Sequence, residues 1–271
     1  MNNTTNQKEN ILNKIAGVTK ERVASNKLKI SLEEIKKMAL DRNTDTGYPF
    51  EKALAADDIS FICEVKKASP SKGLIAPDYP YIEIAKQYEA AGASAISCLT
   101  EPEFFKGSDT YLKEIKNNVT IPVLRKDFTV DEYMIYEAAT IGADAILLIC
   151  SILSKDQLEH YYGIACELGL SVLIETHDEK EIETALSVKP KIIGVNNRNL
   201  ADFTVDINNS IRLRKLVPDN ILFVSESGIK TPQDISALRD NKTNAVLIGE
   251  TLMRSNDKKK MLDYLRKKTD Y

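Results

Sequence analysis

The sequence predicts an α/β protein built as a single (β/α)8 barrel of the TIM type with extra N-terminal helices. Eight apolar runs rich in Val, Ile and Leu recur along the 271 residues, and such runs are typical of parallel strands covered on both faces. Their starts are roughly 20–35 residues apart, the length of a strand plus a crossover helix. Eight such units favour a closed parallel barrel, with an open doubly wound sheet as the alternative. The predicted strands are 60–66, 93–99, 121–126, 143–150, 170–176, 191–196, 221–227 and 244–250.

Helix signals fill the gaps between these runs. Pro80 and Gly92 mark the start and the end of a helical stretch, because proline suits the first helical turn and glycine the residue after the last one. Ser154 and Gln157 form a capping-box pattern at the start of another helix. Strands and helices therefore alternate, as a barrel of βα units requires.

The first 59 residues do not fit this repeat. Apolar residues at helical spacing predict one helix around residues 11–23, and Ser31 with Glu34 predicts the capped start of a second. We therefore predict an N-terminal helical extension, 1–59, packed on a barrel, 60–271, within one structural domain. The extension could close the barrel floor, cover the mouth or make a dimer contact, and the mouth is the favoured position.

The composition argues against several classes of partner and location. A net charge of −3 gives no electrostatic case for binding nucleic acid or an anionic membrane. No apolar run approaches the length of about 18 residues that a membrane span needs, and the segment 1–14 lacks the apolar centre of a secretory signal. We expect a cytoplasmic protein, a monomer or weak homodimer, that binds neither nucleic acid nor membrane.

The cysteines and histidines form no recognisable metal pattern. Cys63, Cys98 and Cys150 lie in apolar runs without CxxC spacing, which indicates buried apolar packing in a reducing compartment. His160 and His177 do not have the spacing that places two histidines on one helix face. We therefore predict that the protein has no metal site and no disulfide framework.

Polar side chains stand where the apolar runs end, and they are the main clue to function. Charges on the inward face of a buried strand are costly unless they are paired or used, and active sites of barrels lie at the carboxyl ends of the strands. Lysines beside glutamates can hold a proton and deliver it to a carbonyl or hydroxyl. We therefore predict an acid–base site, with purely structural ion pairs as the alternative. Its candidate residues are Glu64, Lys66, Lys126, Glu175, Asn196, Arg198 and Glu226.

Small residues after the last two strands indicate a phosphate site. Ser227 and Gly228 lie where the seventh strand passes into the next helix, and Gly249 lies at the end of the eighth strand. Backbone N–H groups can approach an anion closely there, and loops after these two strands are the usual phosphate cradle of barrel enzymes. Phe105 and Phe128, in loops after other strands, either pack beneath the N-terminal helices or stack on a flat substrate. The loop 66–73 is either a solvated mobile loop or a lid over the substrate.

Taken together, these segments resemble the indole-3-glycerol-phosphate synthase family. The resemblance implies a carbon–carbon lyase of tryptophan biosynthesis acting on 1-(2-carboxyphenylamino)-1-deoxyribulose 5-phosphate. Ring closure, decarboxylation and dehydration of that phosphorylated small molecule give indole-3-glycerol phosphate, and no cofactor or metal is implied. The matching segments span all eight predicted strands and are FICEVKKASPSKG (61–73), LTEPEFFKGS (99–108), PVLRKDF (122–128), ADAILLI (143–149), LIETHDEKE (173–181), IGVNNRNL (193–200), VSESGI (224–229) and IGETLM (248–253).

The resemblance also implies a role for each matching residue. Lys126 is the general acid of ring closure, and Lys66 and Glu175 serve the dehydration. Glu64 orients the lysines and substrate, while Asn196 and Glu226 contact the ribulose portion or hold the proton network. The implied substrate-binding residues are Ser69 and Arg198, near the substrate carboxylate, and Phe105, Phe128 and Leu200, the walls of the anthranilate pocket. The implied phosphate-binding residues are Ser227, Gly228, Gly249 and Glu250, the last through its backbone N–H.

Three alternatives remain open at this point. A phosphoribosylanthranilate isomerase would need a Cys–Asp pair at the ends of strands one and six, where this chain has Glu64, Lys66 and Asn196. A Schiff-base aldolase would use Lys126 as its nucleophile. A non-catalytic partner subunit would keep the barrel with a damaged site, and the intact set of charges argues against it.

Overall fold

Eight parallel strands, each paired with the next and the last with the first, close the barrel of the computed structural model, which describes residues 11–199 and 202–268. Every strand of the barrel lies within a predicted run, so the predicted barrel is confirmed and the open-sheet alternative is wrong. A short two-stranded hairpin, Ala68–Ser69 with Gly73–Leu74, follows the first barrel strand. The barrel strands are β1 (Ser60–Val65), β2 (Ala95–Leu99), β3 (Val123–Lys126), β4 (Ala145–Ile149), β5 (Ser171–Thr176), β6 (Ile192–Asn196), β7 (Leu222–Glu226) and β8 (Ala245–Ile248).

Helices surround this barrel and precede it. Both predicted capping boxes, at Ser31 and at Ser154, are present. Within the described ranges no helix is long and apolar enough to cross a membrane. The helices are α1 (Ile11–Lys27), α2 (Leu32–Leu40), α3 (Pro49–Leu54), α4 (Tyr81–Ala90), α5 (Asp109–Lys116), α6 (Tyr133–Thr140), α7 (Lys155–Glu167), α8 (Glu179–Leu186), α9 (Asn208–Arg214), α10 (Pro232–Asp240), α11 (Glu250–Arg254) and α12 (Lys258–Leu265).

The strands separate two apolar layers. Inward side chains such as Leu124 and Leu173 form a cluster inside the barrel, while outward side chains such as that of Cys63 pack in the layer beneath the helices. Because alternate residues of a strand share a face, the inward row of β3 runs from Leu124 to Lys126, and that of β5 from Leu173 to Glu175. The inward face of these strands therefore changes from apolar to charged within two residues, at the mouth of the barrel.

Helix α1 lies at the mouth of the barrel. Leu12 and Ile15 are buried in the interior cluster and line the cavity that opens there. Arg22 donates a hydrogen bond to Asp127 Oδ1 at 2.8 Å, and Asp127 directly follows Lys126 in the chain. The apolar face of α1 thus covers the mouth, and an ion pair joins the helix to the segment after β3.

Helix α3, which was not predicted from the sequence, closes the opposite end. Phe50 and Leu54 are fully buried and belong to the same interior cluster. Thr46 Oγ1 donates to the backbone oxygen of Gly169 at 2.6 Å, in the turn that leads into β5. The N-terminal extension therefore reaches both ends of the barrel, and the boundary between residues 59 and 60 stays a prediction.

The turn at Gly169 gives a test of this floor contact. Gly169 has a φ of +70°, and a Cβ there would overlap the backbone oxygen of Thr44. We predict that Gly169→Ala lowers the free energy of unfolding by about 2–4 kcal/mol, because left-handed strain and overpacking add together. Urea unfolding followed by circular dichroism measures this change.

Gly163, within α7, is the matched control. A Cβ at this position would meet no atom within 4 Å, so Gly163→Ala should stabilise the protein by about 0.5–1 kcal/mol through its better helix propensity. Equal stability of the two variants would contradict the contact between Gly169 and the extension.

Candidate active site

A cavity of about 690 Å³ opens at the carboxyl ends of the strands. Its volume suits a small-molecule ligand. Each of the eight strands contributes at least one lining residue, and α1 contributes Ile11, Leu12 and Ile15. The cavity therefore combines the mouth of the barrel with an apolar cover from the N-terminal extension.

A cluster of acidic and basic side chains lies in this cavity. Lys126 Nζ is 2.9 Å from Glu175 Oε2 and 3.3 Å from Glu226 Oε2. Lys66 Nζ donates a hydrogen bond to Glu64 Oε1. Glu64, Glu175 and Glu226 are all buried. The predicted meeting of distant lysines and glutamates is thus present in the geometry.

Burial and charge shift the pKa values of this cluster in different directions. Burial alone would lower the pKa of Lys126, but the carboxylates of Glu175, Glu226 and Glu64 outweigh it and raise that pKa well above its ordinary value. Burial would raise the pKa of Glu175, but Lys126 and His177 hold it below its ordinary value. Burial raises the pKa of Glu226 to about 7, Lys126 opposes this rise and Glu175 adds to it. Lys126 is therefore a protonated acid held beside an ionised carboxylate.

Asn196 joins the charged cluster to the rim of the cavity. Its Nδ2 donates to Glu175 Oε1 at 3.3 Å. Its Oδ1 accepts from Ser227 Oγ at 2.9 Å and from the backbone N–H of Arg198 at 3.0 Å. One amide side chain thus fixes the carboxylate of β5 and the loops after β6 and β7 relative to one another.

Two glycines make room for the charged side chains. A Cβ on Gly249 would lie 2.8 Å from Lys66 Nζ and closer still to Glu64 Oε1, and a Cβ on Gly194 would overlap Glu226 Oε1. Gly249 was predicted for phosphate binding, and it also borders the acid–base cluster. Gly194 was missed, although its place two residues before Asn196 on an inward row was a usable signal.

One wall of the cavity is aromatic and is formed by Phe105 and Phe128. The ring centroids of Phe105 and Phe128 are 6.2 Å apart with their planes tilted by 38°. The Glu101 carboxylate accepts hydrogen bonds from the backbone N–H groups of Phe104 and Phe105 and so shapes the loop after β2. Ser69, in a short hairpin that follows β1, is buried and faces the same cavity. A flat apolar group fits against this wall.

The loops after β7 and β8 form part of the rim of the cavity, and Asn196 contacts the first of them through Ser227. Ser227 and Gly228 both have left-handed backbone conformations, with φ of 70° and 86°. The Glu250 carboxylate is 3.0 Å from Arg254 Nε and 3.8 Å from Lys72 Nζ, so cations surround the acidic side chain of this rim. Lys230 also lines the cavity, and it was not among the predicted residues.

Each predicted site residue that the structure describes lines this one cavity, whereas Leu200 lies outside the described residues. The residues brought together are Glu64, Lys66, Ser69, Phe105, Lys126, Phe128, Glu175, Asn196, Arg198, Glu226, Ser227, Gly228, Gly249 and Glu250. In residues 11–199 and 202–268 no group of His, Cys, Asp and Glu side chains has the arrangement of a metal site. The individual roles stay predictions.

Comparison with known proteins identifies close relatives along most of the chain. A model of the family described as indole-3-glycerol phosphate synthase matches residues 12–265. Indole-3-glycerol phosphate synthase of Ruminiclostridium cellulolyticum is 61% identical over 247 residues, which cover 91% of this chain and 95% of that protein. The enzymes of the same name from Endomicrobium trichonymphae and Lachnoclostridium phytofermentans are 57% and 48% identical, with coverage of 91% and 94% of this chain and 96% and 98% of theirs.

Solved structures at low identity agree on the fold. A thiamine phosphate pyrophosphorylase from Pyrococcus furiosus superposes with a TM-score of 0.59 at 14% identity, covering 80% of this chain and 96% of that one. A 3-hexulose-6-phosphate synthase from Salmonella typhimurium superposes with a TM-score of 0.63 at 12% identity, covering 76% and 96%. The length and identity of the sequence matches decide the classification: the chain belongs to the indole-3-glycerol phosphate synthase family.

Proposed function

We propose that this chain closes the ring of 1-(2-carboxyphenylamino)-1-deoxyribulose 5-phosphate to give indole-3-glycerol phosphate, carbon dioxide and water. The family match supports the reaction. The observation that carries the proposal is the partly buried ammonium of Lys126, which lies 2.9 Å from Glu175 in a cavity that Phe105 and Phe128 also line. A carboxy-lyase of this type needs such a proton donor beside a flat apolar pocket.

The shape of the cavity supports one orientation of the substrate. In this orientation the phosphate lies at the rim, against the backbone N–H groups of Gly228 and Gly249 with Ser227 and Glu250. The anthranilate ring lies against the wall that Phe105 and Phe128 form. Ser69 and Arg198 lie near the substrate carboxylate. The ribulose carbonyl then comes within reach of the lysines, with Asn196 fixing the distance between rim and acid–base cluster.

Ring closure is the first chemical step. The aromatic ring attacks the ribulose carbonyl carbon, and Lys126 donates a proton to the carbonyl oxygen as the new carbon–carbon bond forms. The raised pKa of Lys126 ensures that the proton is present at neutral pH. Because negative charge develops on the oxygen only in the transition state, this proton lowers the barrier more than it strengthens substrate binding.

Decarboxylation and dehydration complete the reaction. Loss of carbon dioxide leaves an intermediate that bears a hydroxyl group. Lys66, which is hydrogen-bonded to Glu64, protonates this hydroxyl so that it leaves as water. Glu175 removes a proton from the five-membered ring, and this removal gives the aromatic indole. Glu64 and Glu226 keep the two lysines in place, and Glu175 is ionised before the step, as a base requires.

The alternative enzymes fit the cavity less well. An isomerase of the Cys–Asp type would need a cysteine in the cavity, but Cys63 of β1 packs in the outer apolar layer. A Schiff-base aldolase needs a neutral nucleophilic amine, and the carboxylates around Lys126 favour its ammonium form. The finer expectations, a monomer or weak homodimer in the cytoplasm without a nucleic-acid partner, belong to the same proposal, and the net charge of −3 supports the last of them.

The direct test is incubation of the purified protein with the carboxyphenylamino-deoxyribulose phosphate. We expect the fluorescence of an indole product to appear together with one equivalent of carbon dioxide. A folded protein that produces neither from this substrate would overturn the proposal. Trapping of substrate on Lys126 by borohydride would instead support the aldolase.

Replacing the proposed acid gives a sharper prediction. Lys126→Met should lower kcat by about 10²–10⁴-fold, the usual contribution of a general acid, while KM stays within about tenfold of the wild-type value. Lys113→Met, an exposed lysine on α5, is the matched control and should behave as wild type. Steady-state kinetics followed by indole fluorescence make the measurement, and a wild-type kcat in Lys126→Met would remove this residue from the acid role.

The raised pKa of Glu226 predicts how stability depends on pH. In the folded state Glu226 holds its proton up to about pH 7, whereas the ordinary carboxyl value is 4.5. Its contribution to stability is therefore fully present below pH 4.5 and is lost as the pH rises through about 7. Because glutamine cannot ionise, the free energy of unfolding of Glu226→Gln should rise relative to that of the wild type as the pH is raised from 5 to 8.

Urea unfolding at the two pH values measures this difference. The exposed Glu183→Gln on α8 serves as the control and should show no such trend. A stability difference between wild type and Glu226→Gln that is the same at pH 5 and pH 8 would show that Glu226 is already ionised throughout this range.

A further inference from the structure

His177 lies between two carboxylates, those of Glu175 and Glu181. Its Nε2 is 3.5 Å from Glu175 Oε1, and its Nδ1 is 3.0 Å from Glu181 Oε2 in the first turn of α8. Nε2 is buried and makes no hydrogen bond of good geometry among the described atoms, so its interaction with Glu175 is one of charge. The side chain does not line the cavity, and so it acts on a substrate only through Glu175.

The groups around His177 favour its charged form. Glu175 of β5, Glu226 of β7 and Glu181 of α8 all face it, and together they outweigh burial and raise its pKa. Cys150, at the end of β4, lies near the same carboxylates, and burial raises the pKa of its thiol to about 12, so that it stays neutral. When protonated, the imidazole is therefore a second cation beside Glu175, at Oε1, whereas Lys126 contacts Oε2.

A second cation matters because Lys126 does not keep its charge through the reaction. Lys126 is shared between Glu175 and Glu226, and it becomes a neutral amine when it gives its proton to the substrate. Glu175 is only 2% exposed, and a buried carboxylate without a cation takes up a proton. A protonated Glu175 could not serve as the base of the later step.

We propose that His177 is a positioning residue that keeps Glu175 ionised while Lys126 is deprotonated, with Glu181 holding the imidazolium in place. This inference rests on the proposed role of Glu175 as a base. It predicts two linked effects. The titration of His177 should follow the charges of Glu175 and Lys126, and the pH dependence of the reaction should follow the charge of His177.

The first effect can be measured without substrate. The chain has two histidines, so NMR titration of the imidazole protons follows two residues, and His160→Gln assigns them. Glu175→Gln should lower the midpoint of His177 by about one pH unit, since an opposite charge is lost. Lys126→Met should raise it, because Glu175 is then no longer shared. A His177 midpoint that stays at the wild-type value in either variant overturns the proposal, whether or not the assigned reaction is correct.

The second effect appears in kinetics. His177→Gln keeps a donor beside Glu175 but removes the charge, so the acidic limb of the kcat/KM profile should move to higher pH by about one unit. Activity should return towards the wild-type value at high pH, where Glu175 ionises without help. His160, exposed on α7, gives the matched control, and His160→Gln should reproduce the wild-type profile.

Two kinetic results would overturn the inference. One is a His177→Gln profile that coincides with that of the wild type. The other is a loss of activity that is equal at every pH, since this would indicate a structural role alone. A wild-type protein that does not turn over the substrate at all would refute the proposed function instead, and the NMR titrations would still decide whether His177 and Glu175 are coupled.

Discussion

The ammonium group of Lys126 lies between the carboxylates of Glu175 and Glu226, and the barrel geometry is what brings these three side chains together. They stand on β3, β5 and β7, and in barrels of this kind alternate strands supply the side chains of one inward layer. Glu64 on β1 extends the same set. Buried charges are tolerated only where partners compensate for lost water, so the site depends on all four strands keeping their register.

The number of charges explains how this layer differs from a set of inert ion pairs. Within the innermost cluster, three carboxylates, those of Glu64, Glu175 and Glu226, share two ammoniums, those of Lys66 and Lys126. Burial, together with the charge of the neighbouring Glu175, raises the pKa of Glu226 to about 7, while Lys126 and His177 hold the pKa of Glu175 below its ordinary value. Two neighbouring carboxyl groups thus have different protonation states, which is the condition for separate acid and base roles.

Strand periodicity explains why much of this could be predicted from the sequence. A charge two residues beyond an inward apolar residue, as Lys126 is beyond Leu124, must face the cavity. Features that depend on contacts between distant segments could not be predicted. Helix α3 is too short to show a period, and the ion pair between Arg22 and Asp127 joins residues far apart in the chain. His177 was examined as a metal ligand, and its place behind Glu175 follows only from the packing of α8 against β5.

The most direct test of the account is a crystal structure of the protein with indole-3-glycerol phosphate bound. The account predicts the indole ring against the wall of Phe105 and Phe128, the phosphate at the backbone of Gly228 and Gly249, and Lys126 Nζ within hydrogen-bonding reach of the bound molecule. Product bound elsewhere, or Lys126 and Glu175 turned away from it, would contradict the claim that the inward charges of alternate strands form the catalytic centre.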